Sequence, residues 1–254
     1  ASVTFGSDVT YYTTLESAFA YASTLATTSS KYATVTILVD SITVSSTIVV
    51  GADKFINLTA SVSTTIARQG NPAIIHNYAT LNIYGTDSIS ITFQGDENDQ
   101  VLIYNETEGT ITLESNVTLI GNKTTGIGGA MYNKGTLTIN GASFTNNSAN
   151  YGGAIYTLGT INIKNATFDG NTATSNSGST IYVVSGTTTI TSATINSTTN
   201  GPAIHIDGNG TVIIGGTADG EKVVIGSKTN RNNYGIRAWG SLTINNAEIY
   251  TKYE

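Results

Sequence analysis

Apolar residues alternate with small polar ones through most of the chain, as in Thr136-Leu137-Thr138-Ile139 and Thr160-Ile161-Asn162-Ile163. A period of two marks a strand with one face buried and the other in water. Gly, Asn and Ser cut these runs into short pieces, and the repeated part shows no helical spacing. The pieces recur as copies that open at Ile75, Ile103, Met131, Ile155, Ile181, Ile204 and Ile236, spaced 28, 28, 24, 26, 23 and 32 residues apart. Each copy continues with a small residue and an apolar pair, for example Gly135 with Leu137 and Ile139, or Gly159 with Ile161 and Ile163. A third apolar pair closes it, as in Ala142 with Phe144 and Ala166 with Phe168. Self-similarity at this period marks a solenoid.

Three short strands per copy predict an all-β fold, a single-stranded parallel β-helix of about nine coils. The handedness rule for parallel crossovers makes it right-handed. Leucine-rich repeats of similar length need a Leu-x-x-Leu-x-Leu framework that this chain lacks.

The first 70 residues break the pattern. Thr13-Thr14-Leu15-Glu16 has the form of a capping box, with Thr13 as N-cap and Glu16 reaching back. Leu15, Phe19, Ala22 and Leu25 then share one face of a short helix that runs to about Thr24. Apolar strands follow at Val35–Val39, Ile42–Val44, Thr47–Val50 and Phe55–Leu58. Residues 1–34 are the expected N-terminal cap, since an open β-helix end exposes core and unpaired strand edges. Residues 35–254 are the expected β-helix, which has no comparable cap after Tyr253-Glu254 and is expected to continue beyond them.

Composition narrows the choice of partners. Only 11% of residues are charged, and 27 Gly stand against 2 Pro. A net charge of −6 and pI near 4.8 argue against nucleic acid and anionic membranes. There is no cysteine, hence no disulfide or thiolate metal site. No run of some 18 apolar residues predicts a spanning helix, so membrane insertion by this segment is not expected.

Two copies carry a sharper signature: Gly128-Gly129-Ala130-Met131 and Gly152-Gly153-Ala154-Ile155, paired with Phe144-x-x-Asn147 and Phe168-x-x-Asn171. Other copies hold it loosely, as Leu119-x-x-Asn122 and Asn200-Gly201-Pro202-Ala203-Ile204. The pairing of GGA[ILVM] with FxxN resembles the chlamydial polymorphic outer-membrane protein family and related adhesin-like proteins, over residues 100–250. The resemblance implies a pectin-lyase-like β-helix, exported, attached to a cell surface and used in adhesion. Physics accounts for the motif without a site: the Gly pair turns a corner at positive φ, Phe fills the core, and Asn takes a left-handed corner.

The same superfold hosts polysaccharide lyases and hydrolases, which need carboxylates placed together on neighbouring coils. Glu106, Glu108 and Glu114 lie in one copy, while Asp169, Asp207, Asp219 and Glu221 are scattered. Opposite Glu108 and Glu114 the next copy offers Lys134 and Asn140. His76 and His205 are equivalent residues of distant copies. No cluster of three carboxylates, or of carboxylate with Arg or His, is expected, and no catalytic residue is assigned. Asp96-Glu97-Asn98-Asp99 has oxygen ligands suited to Ca²⁺, against the plainer reading of a solvated loop; no cofactor or metal is expected.

The outward columns are more informative. The residue after each opening apolar one runs His76, Tyr104, Tyr132, Tyr156, Tyr182, His205, Arg237. Alternation sends Tyr104, Tyr132, Tyr156 and Tyr182 to one outer face, where they either bind sugar rings or a partner protein, or only stabilise the sheet. A second column pairs Thr80 with Asn82, Thr110 with Thr112, Thr136 with Thr138, Thr160 with Asn162, Thr187 with Thr189 and Ser241 with Thr243. Ice-binding solenoids display such arrays, although Ile213 interrupts this one and Thr suits strands generally. Sequons such as Asn105-Glu106-Thr107, Asn116-Val117-Thr118 and Asn165-Ala166-Thr167 are expected by chance in this composition.

The expected protein is therefore a monomeric, non-enzymatic, extracellular cell-surface adhesin module that binds a glycan or a host surface protein through exposed ladders or loops, with Tyr104, Tyr132, Tyr156 and Tyr182 as the candidate binding residues. A polysaccharide lyase or hydrolase and an ice-binding solenoid are the alternatives.

Overall fold

The structure, a computed structural model, describes residues 1–25, 27–70, 73–97, 99–175, 177–197, 201–216, 221–227 and 234–251. Asn98, Asn200, Asp219, Tyr253 and Glu254 lie outside the described residues. The chain forms a parallel β-solenoid of about eight turns with one short helix, Leu15–Ala22.

Each turn contributes three strands. The opening strands stack in parallel: Ile48–Val50, Ile75–Asn77, Ile103–Asn105, Met131–Asn133 and Ile155–Thr157, then the first parts of Ile181–Ile190 and Pro202–Ile214, and finally Tyr234–Ala238. These and the second strands share one sheet, while the third strands build the other. The apolar partners meet as the period of two requires. Met131 aligns with Ile155 and Ile155 with Ile181; Leu137 aligns with Ile161. All of them are buried. Phe144 and Phe168 are also aligned and fully buried, their rings stacked at 4.9 Å and 16°.

Eight turns, one fewer than the nine expected, follow from how the chain enters. Ala33–Ile37 pairs directly with Phe55–Ala60 in the second-strand column, and the first opening strand comes only at Ile48–Val50. Residues 33–70 lie in the coils, although the repeat motif is not visible in them. Ser41–Val44 aligns with Thr64–Arg68, which aligns with Ile91–Gln94. Valines at positions 49 and 50, where the next three copies carry a histidine or tyrosine and then an asparagine, disguise this copy.

Ahead of the coils, Ser2–Phe5 pairs antiparallel with Ala33–Ile37, and Asp8–Tyr11 pairs antiparallel with Ser2–Phe5. The helix buries Leu15, Ala18, Phe19 and Ala22 at this end of the core, with Leu25 packed partly against it. Its N-cap is Thr14, whose side chain accepts from Ser17 N at 3.1 Å, and the helix ends at Ala22. The expected box on Thr13 does not form. Glu16 instead accepts from the backbone and hydroxyl of Ser45 at 2.9 and 3.3 Å, tying the helix to the turn after Ser41–Val44.

Two buried amide ladders run inside the coils. At the third residue of the opening strand, Asn77 donates to Asn105 Oδ1 at 2.9 Å, Asn105 to Asn133 Oδ1 at 2.8 Å, and Asn133 to Thr157 Oγ1 at 3.0 Å. Each amide also donates to a backbone carbonyl at the corner, those of Ala79, Gly109 and Gly135 respectively. In the next two coils Val183 and Ile206 take this place. There the corner opens out, and first and second strands merge into Ile181–Ile190 and Pro202–Ile214, with a register shift after Val183.

Two measurements test this core. Phe168→Ala should cost about 3–5 kcal/mol in urea denaturation, because the stacked rings leave a cavity; a loss under about 1 kcal/mol would contradict the packing. Asn105→Ala should cost about 1–3 kcal/mol for each amide partner it strands inside the core. Asn82→Ala, which removes a partly exposed 3.1 Å bond to Asn57, should cost far less; equal effects would show that the inner ladder is not structural.

Candidate functional site

The opening strands set the geometry of the exterior column. Tyr104 aligns with His76 and Tyr132, Tyr132 with Tyr156, Tyr156 with Tyr182, Tyr182 with His205, and His205 with Arg237. Val49 extends the column one turn further. Ring centroids follow the coil rise: 4.6 Å from Tyr104 to Tyr132, 5.5 Å to Tyr156 and 5.4 Å to Tyr182. The four tyrosines therefore form one continuous aromatic strip.

The strip is not uniform. Tyr156 and Tyr182 are parallel within 2° and Tyr132 and Tyr156 within 27°, so each spends a ring face on its neighbour. Tyr104 and Tyr132 are tilted by 58°. Tyr104, Tyr132 and Tyr156 are half-buried, whereas Tyr182 is only 8% exposed. Tyr151 packs edge-on against Tyr182 at 5.4 Å, and the Tyr182 hydroxyl donates to Asp207 at 3.2 Å. Further along, His205 lies between Tyr182 and Trp239 at 4.7 and 4.9 Å. Covering thus increases toward the Tyr182 end.

Charge gathers at the opposite end. Glu106 accepts from His76 Nε2 at 3.0 Å and from Lys134 Nζ at 3.2 Å, and Lys134 lies 5.1 and 5.5 Å from the ring centres of Tyr104 and Tyr132. Burial pushes the Glu106 carboxyl up, but the His76 and Lys134 hydrogen bonds outweigh it and hold the group below the ordinary carboxylate range. The Tyr104 hydroxyl, with Glu106, raises the Lys134 ammonium above its usual value. Burial, reinforced by Tyr104, pushes Tyr132 up to about 12, so its phenol stays protonated at neutral pH. Beside this pair an open depression of about 250 Å³ is lined by Tyr104, Tyr132, Asp99, Gln100, Val101 and Ile127, among others.

The sequence signature resolves into scaffold geometry. Gly128 and Gly152 adopt φ of 69° and 63°, as a corner requires. The second glycine of each pair is needed for space, since a Cβ on Gly153 would lie 2.2 Å from the Ser179 carbonyl of the next coil. The motif asparagines do not take the left-handed corner as expected. Gly121, Asn146 and Gly170, each one residue earlier, do so at φ of 73°, 54° and 65°. Asn122, Asn147 and Asn171 are turned inward and fully buried. The amide of Asn147 donates to Leu119 O at 2.9 Å and to Asn171 Oδ1 at 3.1 Å; that of Asn171 donates to Phe144 O at 2.8 Å.

Residues 141–158 match the Chlamydia polymorphic membrane protein repeat. The matched stretch holds Phe144-x-x-Asn147 and Gly152-Gly153-Ala154-Ile155, and with the β-solenoid it agrees with the resemblance carried by those motifs. No curated protein and no solved structure matches the chain. The polymorphic membrane protein repeat and the solenoid together fit a surface, adhesin-like module, and that repeat suggests a non-enzymatic protein. Among the described residues, no helix is long and apolar enough to cross a membrane.

The remaining candidates fall elsewhere. The expectation that no carboxylate meets Arg or His is overturned twice: by His76 with Glu106, and by Arg68, which donates through Nε to Asp96 at 2.8 Å. Stacking brings residues some 30 positions apart together across adjacent coils. The buried Arg68 also donates to Gln100 O and Asn122 Oδ1 and so closes a corner. In the Asp96–Asp99 loop, Glu97 pairs with Lys123 and Asp99 accepts from Thr125 at 2.8 Å, so the chain's own donors engage these carboxylates. Among the described residues no group of His, Cys, Asp and Glu is arranged to hold a metal ion. Glu114 accepts from Asn140 at 2.7 Å and Glu221 from Lys164 at 3.0 Å, while Glu108 and Asp169 are exposed. The Thr column aligns as expected, Thr110 with Thr80 and Thr136, and Thr189 with Ile213. Of the sequons, Asn105 is fully buried in the inner ladder and closed to modification in the fold.

His205 is 1% exposed and neither ring nitrogen has a hydrogen-bond partner. Burial lowers its pKa, and Arg237 lowers it further against Asp207. A histidine depressed in the fold contributes stability above its unfolded value of about 6.5, which is lost as pH falls below it. The melting temperature should therefore fall from pH 7 to pH 5, and His205→Tyr should reduce that fall. Identical pH slopes for both proteins would refute the assignment.

Proposed function

We propose that the chain is a non-enzymatic, extracellular, surface-attached adhesin-like module that acts as a monomer and holds a glycan or a surface protein on its aromatic strip, without a cofactor. The carrying observation is the continuous column of Tyr104, Tyr132 and Tyr156 on one exterior face, half-buried and in register. Tyrosine supplies rigid area with a polar tip at low entropic cost, which suits it to recognition surfaces. Tyr182 serves the reading mainly as a backstop, since Tyr151 and Asp207 occupy it.

The His76–Glu106–Lys134 group does not favour a hydrolase. A general acid needs a carboxyl held protonated by a raised pKa, and that of Glu106 is lowered.

The test is a glycan-array and matrix-protein binding screen of the intact chain beside a variant with Tyr132→Ser and Tyr156→Ser. Binding should fall at least tenfold with modest loss of stability, because exposed stacked pairs contribute about 1 kcal/mol. Unchanged binding together with a lowered melting temperature would make the strip purely structural.

A further inference from the structure

Resting on the adhesin reading, we infer that the depression beside Tyr104 and Tyr132 is a subsite for one neutral pyranose ring, and that it is where a glycan engages the strip.

Ring geometry selects the place. Toward Tyr182 the aromatic faces are taken up by parallel stacking and by Tyr151, and at His205 by Trp239. At the other end His76 is stacked by Tyr78 at 4.7 Å and 25°. Between them Tyr104 and Tyr132, tilted by 58° to each other, both line the depression. The C–H face of a sugar ring carries partial positive charge and suits the negative face of an aromatic ring.

Size and polarity select the occupant. A volume of about 250 Å³ lies below the roughly 300–1,000 Å³ typical of drug-sized ligands and suits a single ring. Val101 and Ile127 give apolar contact, while Gln100, Asp99 and the protonated Tyr132 phenol offer donors and acceptors for hydroxyl groups. Charge excludes acidic sugars. Among the described residues, the one charged residue lining the depression is Asp99, and Lys134 beside the two tyrosines is paired with Glu106, so a uronate or sialate would meet like charge there.

The experiment is saturation-transfer NMR on the intact chain with the methyl glycosides of galactose, glucose, N-acetylglucosamine and glucuronate. A lone ring should bind with a dissociation constant on the order of 1 mM. At least one neutral glycoside should receive saturation and glucuronate none. Tyr132→Ser should abolish the signal, and Gln100→Ala, a change at an exposed side chain, should weaken it severalfold in a chain that folds normally. Tyr11→Ser, at the 73% exposed Tyr11 of the cap, should leave it intact. Absence of any neutral signal, a stronger glucuronate signal, or indifference to both Tyr132→Ser and Gln100→Ala would overturn the subsite. Array binding that persists in Gln100→Ala and Tyr132→Ser would sink the subsite and leave the adhesin reading standing. A wild-type chain that takes up a neutral glycoside, yet adheres to nothing on the array, would keep the subsite and sink that reading.

Discussion

Parallel stacking in register is the constraint from which the rest of the molecule follows. Each coil hydrogen-bonds to the next at a fixed rise, so a residue type repeated at one position becomes a column of touching side chains. Inside, a repeated asparagine has to satisfy its amide against its own image, and Asn77, Asn105 and Asn133 do so while also closing the corner carbonyls. A buried amide ladder is stable only when every member finds partners. Outside, the preceding residue is thrown to the opposite face, and the same repetition builds the aromatic strip. Tyr104-Asn105 and Tyr132-Asn133 are thus two faces of one strand: the inner amide closes the corner while the outer ring joins the strip. Where Val183 and Ile206 replace the amide, the strands run on past the corner and the neighbouring column position is buried.

This coupling gives the strip its gradient. Coils with inner amides keep a tight corner and leave Tyr104 and Tyr132 half-buried. Coils with long merged strands carry Tyr182 and His205, covered by Tyr151 and Trp239. The buried, unpartnered His205 marks the point where the column has stopped being a surface. A binding role for the strip therefore rests on its first members, although all four tyrosines share the same sequence offset.

Much of this was legible in the sequence, and the failures have common causes. Alternation and repeat spacing locate the inward residues, so the alignments of Met131, Ile155 and Ile181 and the stack of Phe144 on Phe168 follow directly. Alternation from Ile75, Ile103 and Met131 also points Asn77, Asn105 and Asn133 inward, but a reading that weighs only apolar positions gives no weight to a buried amide. The inner asparagines therefore carry no signal in the apolar pattern, and the Phe-x-x-Asn motif does not distinguish its asparagine from the residue before it, which occupies the corner. The Glu106 contacts with His76 and Lys134 link residues 30 and 28 positions apart, and charged side chains long enough to reach a neighbouring coil escape a comparison of equivalent positions alone. Glu16 failed as a capping-box member because Ser45, invisible from local sequence, offers it both an amide and a hydroxyl.

The repeat match carries a further consequence for how specificity is encoded. Within residues 141–158 the signature residues Phe144, Asn147, Gly152, Gly153, Ala154 and Ile155 are all buried. They answer to coil closure, tight approach and core volume, and a ligand cannot touch them. Any discrimination between ligands must come from positions the signature leaves free, such as Tyr132 and Tyr156 on the strip and Asp99, Gln100 and Ile127 in the segments that lead into the opening strands. The variation in coil length, from 23 to 32 residues, falls mainly between the opening strand and the third strand of each coil instead. A scaffold of this kind can keep its signature unchanged while its outer column and connecting loops diverge freely, which is why such a signature identifies the architecture and leaves the ligand to the exposed residues beside it.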